Sequence, residues 1–173
     1  FISVFLAATA TKVALYVLLR FTFTVFAPDY SFGALPLAVV LMALAVAGMV
    51  AGSWVAIYQA NIKRMLAYSS VAQVGYMVLG VSLVSVTGLT AALLHMFNHA
   101  LMKAALFMAL GVVAYQVGSV RIDAFRGLGK RMPWTLSAFA LAGVSLIGLP
   151  PTAGFVSKWY LISAAVESGH LWL

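Results

Sequence analysis

The chain has 173 residues, 65% of them hydrophobic and only 8% charged, with a mean hydropathy of +1.10; such a composition excludes a soluble globular domain and marks an integral membrane protein. The net charge of +7 comes from ten Lys and Arg against three acids, but the basic residues fall mostly in short loops, as cytoplasmic connections require, so the excess does not call for nucleic acid. With no cysteine, disulfides, thiolate metal sites and cysteine catalysis are excluded.

The first predicted span covers residues 1–26, with Lys12 near its middle and Arg20 towards its far end. It opens in an apolar run without methionine, charged n-region or cleavage site, so no signal peptide is expected. Both ends read as cut, and an internal fragment of a longer membrane protein is the expectation. A turn-rich loop over 27–33 carries Asp29. The second span, 35–58, holds no charge; its Gly48 and Gly52 have the spacing of close helix packing, which also arises by chance in apolar sequence.

A short basic connection, 59–64, leads to a third span over 65–84 with Ser69, Ser70, Gln73 and Tyr76 as its polar members. A tight turn at 85–88 enters the fourth span, 89–115. There His95, His99 and Lys103 recur every four residues, which on a helix stacks them on one face about 6 Å apart along the axis. Three ionisable groups in hydrocarbon cost roughly several kcal/mol together even on lenient insertion scales, and such groups mark ion or proton routes.

The longest polar stretch, 117–133, carries Arg121, Asp123, Arg126, Lys130 and Arg131. The apolar run after it, 134–149, is short for a full crossing. Pro150 and Pro151 stop it, since they donate no backbone hydrogen bond and clash with the preceding turn. Helix resumes near residue 155 and passes through Lys158 to about 168. The predicted fold is an all-α polytopic transmembrane bundle in a single domain over 1–173, with about five spans and the last discontinuous at Pro150-Pro151. Backbone broken at membrane depth must be buried or line a wet cavity, and broken helices mark ion sites in transporters. Because two spans separate them, the 59–64 and 117–133 loops share one side, and their six basic residues place them in the cytoplasm.

Lys12 is too central in its span to snorkel easily, so a buried paired or functional role is expected. For His95, His99 and Lys103 the plain alternative is packing, with the rings and the ammonium bonded to neighbouring helices. Three groups in register favour conduction, since histidine exchanges protons near neutral pH. Zinc on His95 and His99 lacks a third ligand and an intervening Glu, so no metal is assigned. Lys158 sits just past the break, where freed carbonyls could solvate its ammonium. Arg20 is expected to snorkel or pair, and Glu167 to face water. Met96, Met102 and Met108 read as packing residues. No phosphate loop, serine triad, paired carboxylates or redox cofactor site is visible, and no cofactor is assigned.

Residues 61–76, NIKRMLAYSSVAQVGY, resemble the signature of the antiporter-like proton-translocating membrane subunits of respiratory complex I, membrane-bound hydrogenases and Mrp-type cation/proton antiporters. Residues 95–104, HMFNHALMKA, resemble that family's conducting helix, and residues 148–158, GLPPTAGFVSK, its broken helix. The likeness runs over essentially the whole chain and looks closest to the D-type subunit of Mrp antiporters. It implies a proton path through Lys12 bridging two half-channels, Lys103 as the central relay with His95 and His99 beside it, and Lys158 near the exit. Tyr68, Ser69, Gln73, Pro150 and Pro151 would support that path. It also implies that the chain is part of the second half of an inverted-repeat fold, whose preceding half supplies a glutamate–lysine pair.

The leading expectation is thus a proton-conducting subunit of a multisubunit cation/proton antiporter. The alternative is a proton-pumping membrane-arm subunit of NADH:quinone oxidoreductase or of a membrane-bound hydrogenase. The chain holds no catalytic site, so any enzymatic role would belong to such a complex. A third reading, an inert scaffold, predicts that replacing Lys103 by methionine leaves transport intact. Expected partners are other membrane subunits of the same complex, the lipid bilayer, and protons with or without Na⁺. The expected location is the inner (plasma) membrane of a prokaryotic cell.

Overall fold

A computed structural model of the chain describes residues 2–170, so Phe1, the start of the first expected span, lies outside the described residues. The first span is one helical rod of four pieces: α1 (Ile2–Phe5), a π-helical segment Leu6–Ala10, α2 (Thr11–Arg20) and a second π-helical segment Phe21–Val25. Lys12, Leu15, Leu19 and Thr22 form its buried stripe. The loop expected at 27–33 contains a further π-helical turn, Asp29–Ala34. It docks on the rod through Ser31 Oγ, which donates to the Thr22 carbonyl at 3.0 Å.

Helix α3 (Leu37–Ile57) and helix α4 (Ile62–Ser82) cross closely. A Cβ on Gly52 would lie 2.8 Å from the Ala72 nitrogen, and one on Gly75 would lie 2.8 Å from the Ala45 carbonyl oxygen. Small residues at such crossings let helix backbones touch where lipid provides no hydrophobic drive. Gly48 meets nothing within 4 Å, so the true partner of Gly52 is across the interface and not four residues back.

Asn61 caps α4, its Oδ1 accepting from the Lys63 and Arg64 amides. Ser85 caps helix α5 (Val86–Val117) by accepting from the Gly88 amide at 3.0 Å. The connection is therefore residues 83–85, not the 85–88 turn expected. Gly88 already lies inside α5, where its Cβ would stand 2.5 Å from the Gly80 carbonyl oxygen. It is glycine for the sake of helix contact. Val84 instead takes the positive φ of 48° at the turn.

Helix α5 has 32 residues, about 48 Å at 1.5 Å each, well beyond the hydrocarbon core. Gly118 ends it in the left-handed conformation. After a 3₁₀ turn at Ile122–Phe125 and a short α6 (Leu128–Arg131), helix α7 (Pro133–Ile147) begins with proline at its first position, where a missing amide costs nothing.

Helix α7 runs back along the later half of α5: Phe139, Ala142 and Leu146 pack on the cluster of Leu106, Phe107 and Leu110. Gly148, with φ 89°, terminates it, so the break opens two residues before the prolines that were expected to cause it. Helix α8 (Ala153–Glu167) resumes and follows the earlier half of α5, with Leu161, Ala164 and Ala165 clustered with Ala91. Two 15-residue pieces thus make one discontinuous crossing antiparallel to α5. With four long apolar stretches at Leu6–Val25, Leu37–Ile57, Ile62–Ser82 and Val86–Val117, the five-span helical membrane bundle stands.

The two basic loops are stitched together. Asn61 and Arg121 form an antiparallel bridge, flanked by Ile62 N–H to Val120 O at 2.9 Å and Ile122 N–H to Ala60 O at 3.1 Å. They therefore lie at the same end of the bundle.

Candidate functional site

The row on α5 is the most deeply buried polar feature of the bundle: His99 and Lys103 are 0% exposed and His95 3%. Its ordering follows from the helix period, and its environment from what α4 and α8 bring against it. From α4, the Leu66 carbonyl and the Ser69 hydroxyl each accept from Lys103 Nζ at 2.6 Å. Gln73 lies two turns up the same α4 face, its Oε1 2.9 Å from His95 Nε2. From α8, Ser157 Oγ lies 2.9 Å from His95 Nδ1. His95 and His99 run nearly parallel, with ring centres 6.1 Å apart and planes 16° from coplanar. Both ring nitrogens of His99 are without a hydrogen-bond partner among the described residues. An unpaired polar group buried so deeply demands an explanation beyond packing.

Lys12, buried on the first span, donates to the Ala7 carbonyl within the π-helical segment. Its charge lies within electrostatic reach of His95, His99 and Lys103. Lys158 donates to the carbonyls of Leu146 and Ile147 at 3.1 and 2.9 Å. Those are terminal carbonyls of α7, which lack in-helix partners and carry the negative end of its dipole. Lys158 also stands 5.1 Å from the centre of the Tyr76 ring, a cation–π distance, and that ring meets His95 edge-on at 6.0 Å. So the structure gathers Lys158, Tyr76, His95, His99 and Lys103 into one succession across the crossing of α4, α5 and α8.

The break is built tightly. Asn98 Nδ2 donates to the Ala153 carbonyl at 2.8 Å, tying α5 to the start of α8. A Cβ on Gly154 would come within 1.8 Å of the Ser145 carbonyl oxygen, so the two half-helices touch backbone to backbone. Pro150 and Pro151 are exposed and contribute to the loop alone.

Of the residues singled out in the sequence, Tyr68 does not join the site: it is 40% exposed, because its position on α4 faces away from Ser69 and Gln73. Ser157, Asn98 and Tyr76 do join it without having been assigned roles. Ser157 is 62 residues from His95, and no local pattern could pair them. Tyr76 was visible as a polar residue one turn beyond Gln73, which was the available signal. All three acids, Asp29, Asp123 and Glu167, are exposed, so no carboxylate among the described residues faces the buried bases. The ion pair formed, Arg121 with Asp123 at 3.5 Å, is at the surface.

The family model described as NADH:quinone oxidoreductase/Mrp antiporter, TM, matches residues 1–173. The chain belongs to this family. It is 47% identical over 165 residues to NADH-quinone oxidoreductase subunit N of Desulforudis audaxviator, covering 95% of this chain and 32% of that protein. It is 39% identical over 139 residues to F(420)H(2) dehydrogenase subunit N of Methanosarcina mazei, covering 75% of this chain and 28% of that one. Among solved structures, a chain of the membrane-bound sulfane sulfur reductase, an archaeal respiratory membrane complex, superposes with a TM-score of 0.90 at 38% identity, over 99% of this chain and 34% of that one. A chain of the Mrp complex from Dietzia sp. DQ12-45-1b superposes with a TM-score of 0.86 at 35% identity, over 93% and 29% respectively. The chain thus spans about a third of the length of the relatives it matches. The broad family expected from the motifs is correct, while the sequence relatives carry the name subunit N and not the D-type name.

Proposed function

We propose that the chain is a proton-conducting segment of a membrane subunit, passing protons along Lys12, Lys103, His99, His95 and Lys158. The observation that carries this reading is the burial of Lys12, His95, His99 and Lys103, with Lys158 half-buried on α8, and no carboxylate among the described residues beside them. A structural core would pair such groups or replace them by hydrocarbon, because a lone buried charge is costly. Groups that gain and lose protons justify that cost. Ser69 and Gln73 support the path as hydrogen-bond partners, and the break frees the α7 carbonyls that hold Lys158.

The relatives named as subunits of NADH-quinone oxidoreductase and F(420)H(2) dehydrogenase favour a driver in redox chemistry on other subunits. This choice reverses the order expected from sequence, where cation/proton antiport led. Antiport remains the second reading because of the likeness to the Mrp complex. In either case the partners are other membrane subunits. A prokaryotic inner membrane with the 59–64 and 117–133 loops in the cytoplasm accords with the six basic residues at that end.

The test is proton uptake by vesicles containing the full-length parent complex, followed with a pH dye, for wild type and Lys103→Met. NADH and a sodium gradient are supplied in turn. Transport should fall at least ten-fold in the assembled variant, and the driver that energises wild type selects redox pump or antiporter. Unchanged transport in Lys103→Met would make the row an inert packing feature.

A further inference from the structure

His95 and His99 share a face, a depth and a parallel arrangement, yet only one of them is held. His99 has no partner on either ring nitrogen among the described residues, whereas His95 is gripped on both, by Gln73 from α4 and by Ser157 from α8. We infer that Ser157 and Gln73 are positioning residues that let the His95 ring exchange a proton while neither ring nitrogen is left unpaired, so that the start of α8 is tied to proton transfer on α5. This rests on the proton-conducting reading above.

Ser157 has one hydroxyl proton and two acceptors for it: His95 Nδ1 at 2.9 Å and the Gly154 carbonyl at 3.1 Å. When the ring is neutral, Nε2–H donates to Gln73 Oε1 and the Ser157 hydroxyl donates to Nδ1. When the ring takes one proton on Nδ1, that N–H donates to Ser157 Oγ, and the hydroxyl turns to Gly154. As Nδ1–H forms, one N–H bond breaks on a protonated neighbour in the path, Lys158 or His99; when the ring is neutralised again, Nδ1–H breaks and an N–H bond forms on the other, neutral neighbour. The Gly154 carbonyl loses nothing essential in the neutral state, since as a carbonyl in the first turn of α8 it keeps a backbone amide donor four residues on. A bare carbonyl in place of Ser157 would serve the protonated ring alone, and a methyl group would serve neither state. A hydroxyl with two acceptors serves both.

Position adds a second consequence. Gly154 and Ser157 lie within the first five residues of α8, whose start is fixed by Asn98 to Ala153 and by the contact of Gly154 with Ser145. The turn of the Ser157 hydroxyl therefore takes place against a rigid frame. Tyr76 closes a third side of the ring edge-on, so His95 has little freedom to seek other partners.

The experiment is a double-mutant cycle in the full parent complex in vesicles, reading substrate-driven proton uptake per assembled complex. Ser157→Ala should slow uptake roughly ten-fold, the scale of one buried hydrogen bond. Ser157→Thr, which restores the hydroxyl, should return it to within about two-fold. In a His95→Gln background, Ser157→Ala should cause no further loss, because a residue acting through His95 has nothing left to position. Should the alanine variant fail to assemble, Ser157→Cys keeps the volume with a poor donor and takes its place in the cycle. Wild-type rates in Ser157→Ala, failure of threonine to rescue, or losses that multiply with His95→Gln would each overturn the inference and leave Ser157 a packing residue. A wild-type complex that moves no protons with any driver would overturn the functional reading itself, a result distinct from these.

Discussion

Replacing Gly154 by alanine tests whether the broken span is one unit held at its centre. The added Cβ would lie 1.8 Å from the Ser145 carbonyl oxygen and 2.9 Å from its carbon. Both are backbone atoms, so no side-chain rotation relieves the collision, and α7 and α8 must part by roughly an ångström or more at this point. The hydrogen bonds spanning the gap start at 3.4 Å for the Gly154 amide to Ser145 Oγ and 2.9–3.1 Å for Lys158 to the α7 carbonyls. An ångström of separation carries these beyond effective length. Overpacking costs about 1–3 kcal/mol where side chains can yield, and here about 3 kcal/mol or more is expected. Gly143→Ala, on α7 with nothing within 4 Å, is the control; it should be neutral or stabilising by up to about 1 kcal/mol through helix propensity. Thermal melting of the purified complex compares the two. Equal melting temperatures for wild type and Gly154→Ala would refute the close contact of the half-helices.

Three further outcomes follow from the packing. Gly52→Val should disrupt the α3–α4 crossing, where a Cβ already meets Ala72 at 2.8 Å, lowering assembled yield on native gels, whereas Gly48→Val should assemble normally. Equal yields would return Gly48 to the interface. Val84→Gly should stabilise by up to about 1 kcal/mol in the same melting assay, because a β-branched residue at φ 48° is strained. A lowered melting temperature would show that strain at this turn is negligible. Asn61→Cys with Arg121→Cys should cross-link under mild oxidant, since residues opposed across an antiparallel bridge sit about 4.5–5.5 Å apart, within disulfide range. Absence of the cross-link would separate the basic loops, and labelling of the single variants by an impermeant thiol reagent reports which side of the membrane they face.

Much of the architecture was legible because membranes simplify the problem. Apolar length sets each crossing, and the four-residue period of His95, His99 and Lys103 places them on one face before any partner is known. The break near Pro150 was readable for the same reason, though its helix ends at Gly148. What sequence could not supply was which residues sit across from that face. Ser157 meets His95 from another helix, and the π-helical segment that offers the Ala7 carbonyl to Lys12 leaves no compositional trace. Glycine misled twice: Gly88 looked like a turn and Gly48 like an interface, while the determining feature in each case was a neighbouring backbone. Tyr68 looked like a site residue because it adjoins Ser69 in the motif, but one step along a helix turns a side chain by about 100°.

Lys103→Met removes the ammonium and leaves its surroundings satisfied. Two hydrogen bonds are lost, to the Leu66 carbonyl and to Ser69 Oγ. Leu66 O nevertheless keeps two donors, the hydroxyls of Ser69 and Ser70, each at 3.0 Å. Ser69 Oγ keeps its own donation to that carbonyl, so no buried group is orphaned, which is the costly outcome of removing one partner. Methionine has nearly the length and volume of lysine and no charge to desolvate. Swaps that conserve volume cost less than about 1.5 kcal/mol, and removing a buried charge offsets part of that. Stability and conduction are therefore separable at this position. The variant should assemble and melt close to wild type while losing proton transport, a pairing that a scaffold role for Lys103 cannot produce.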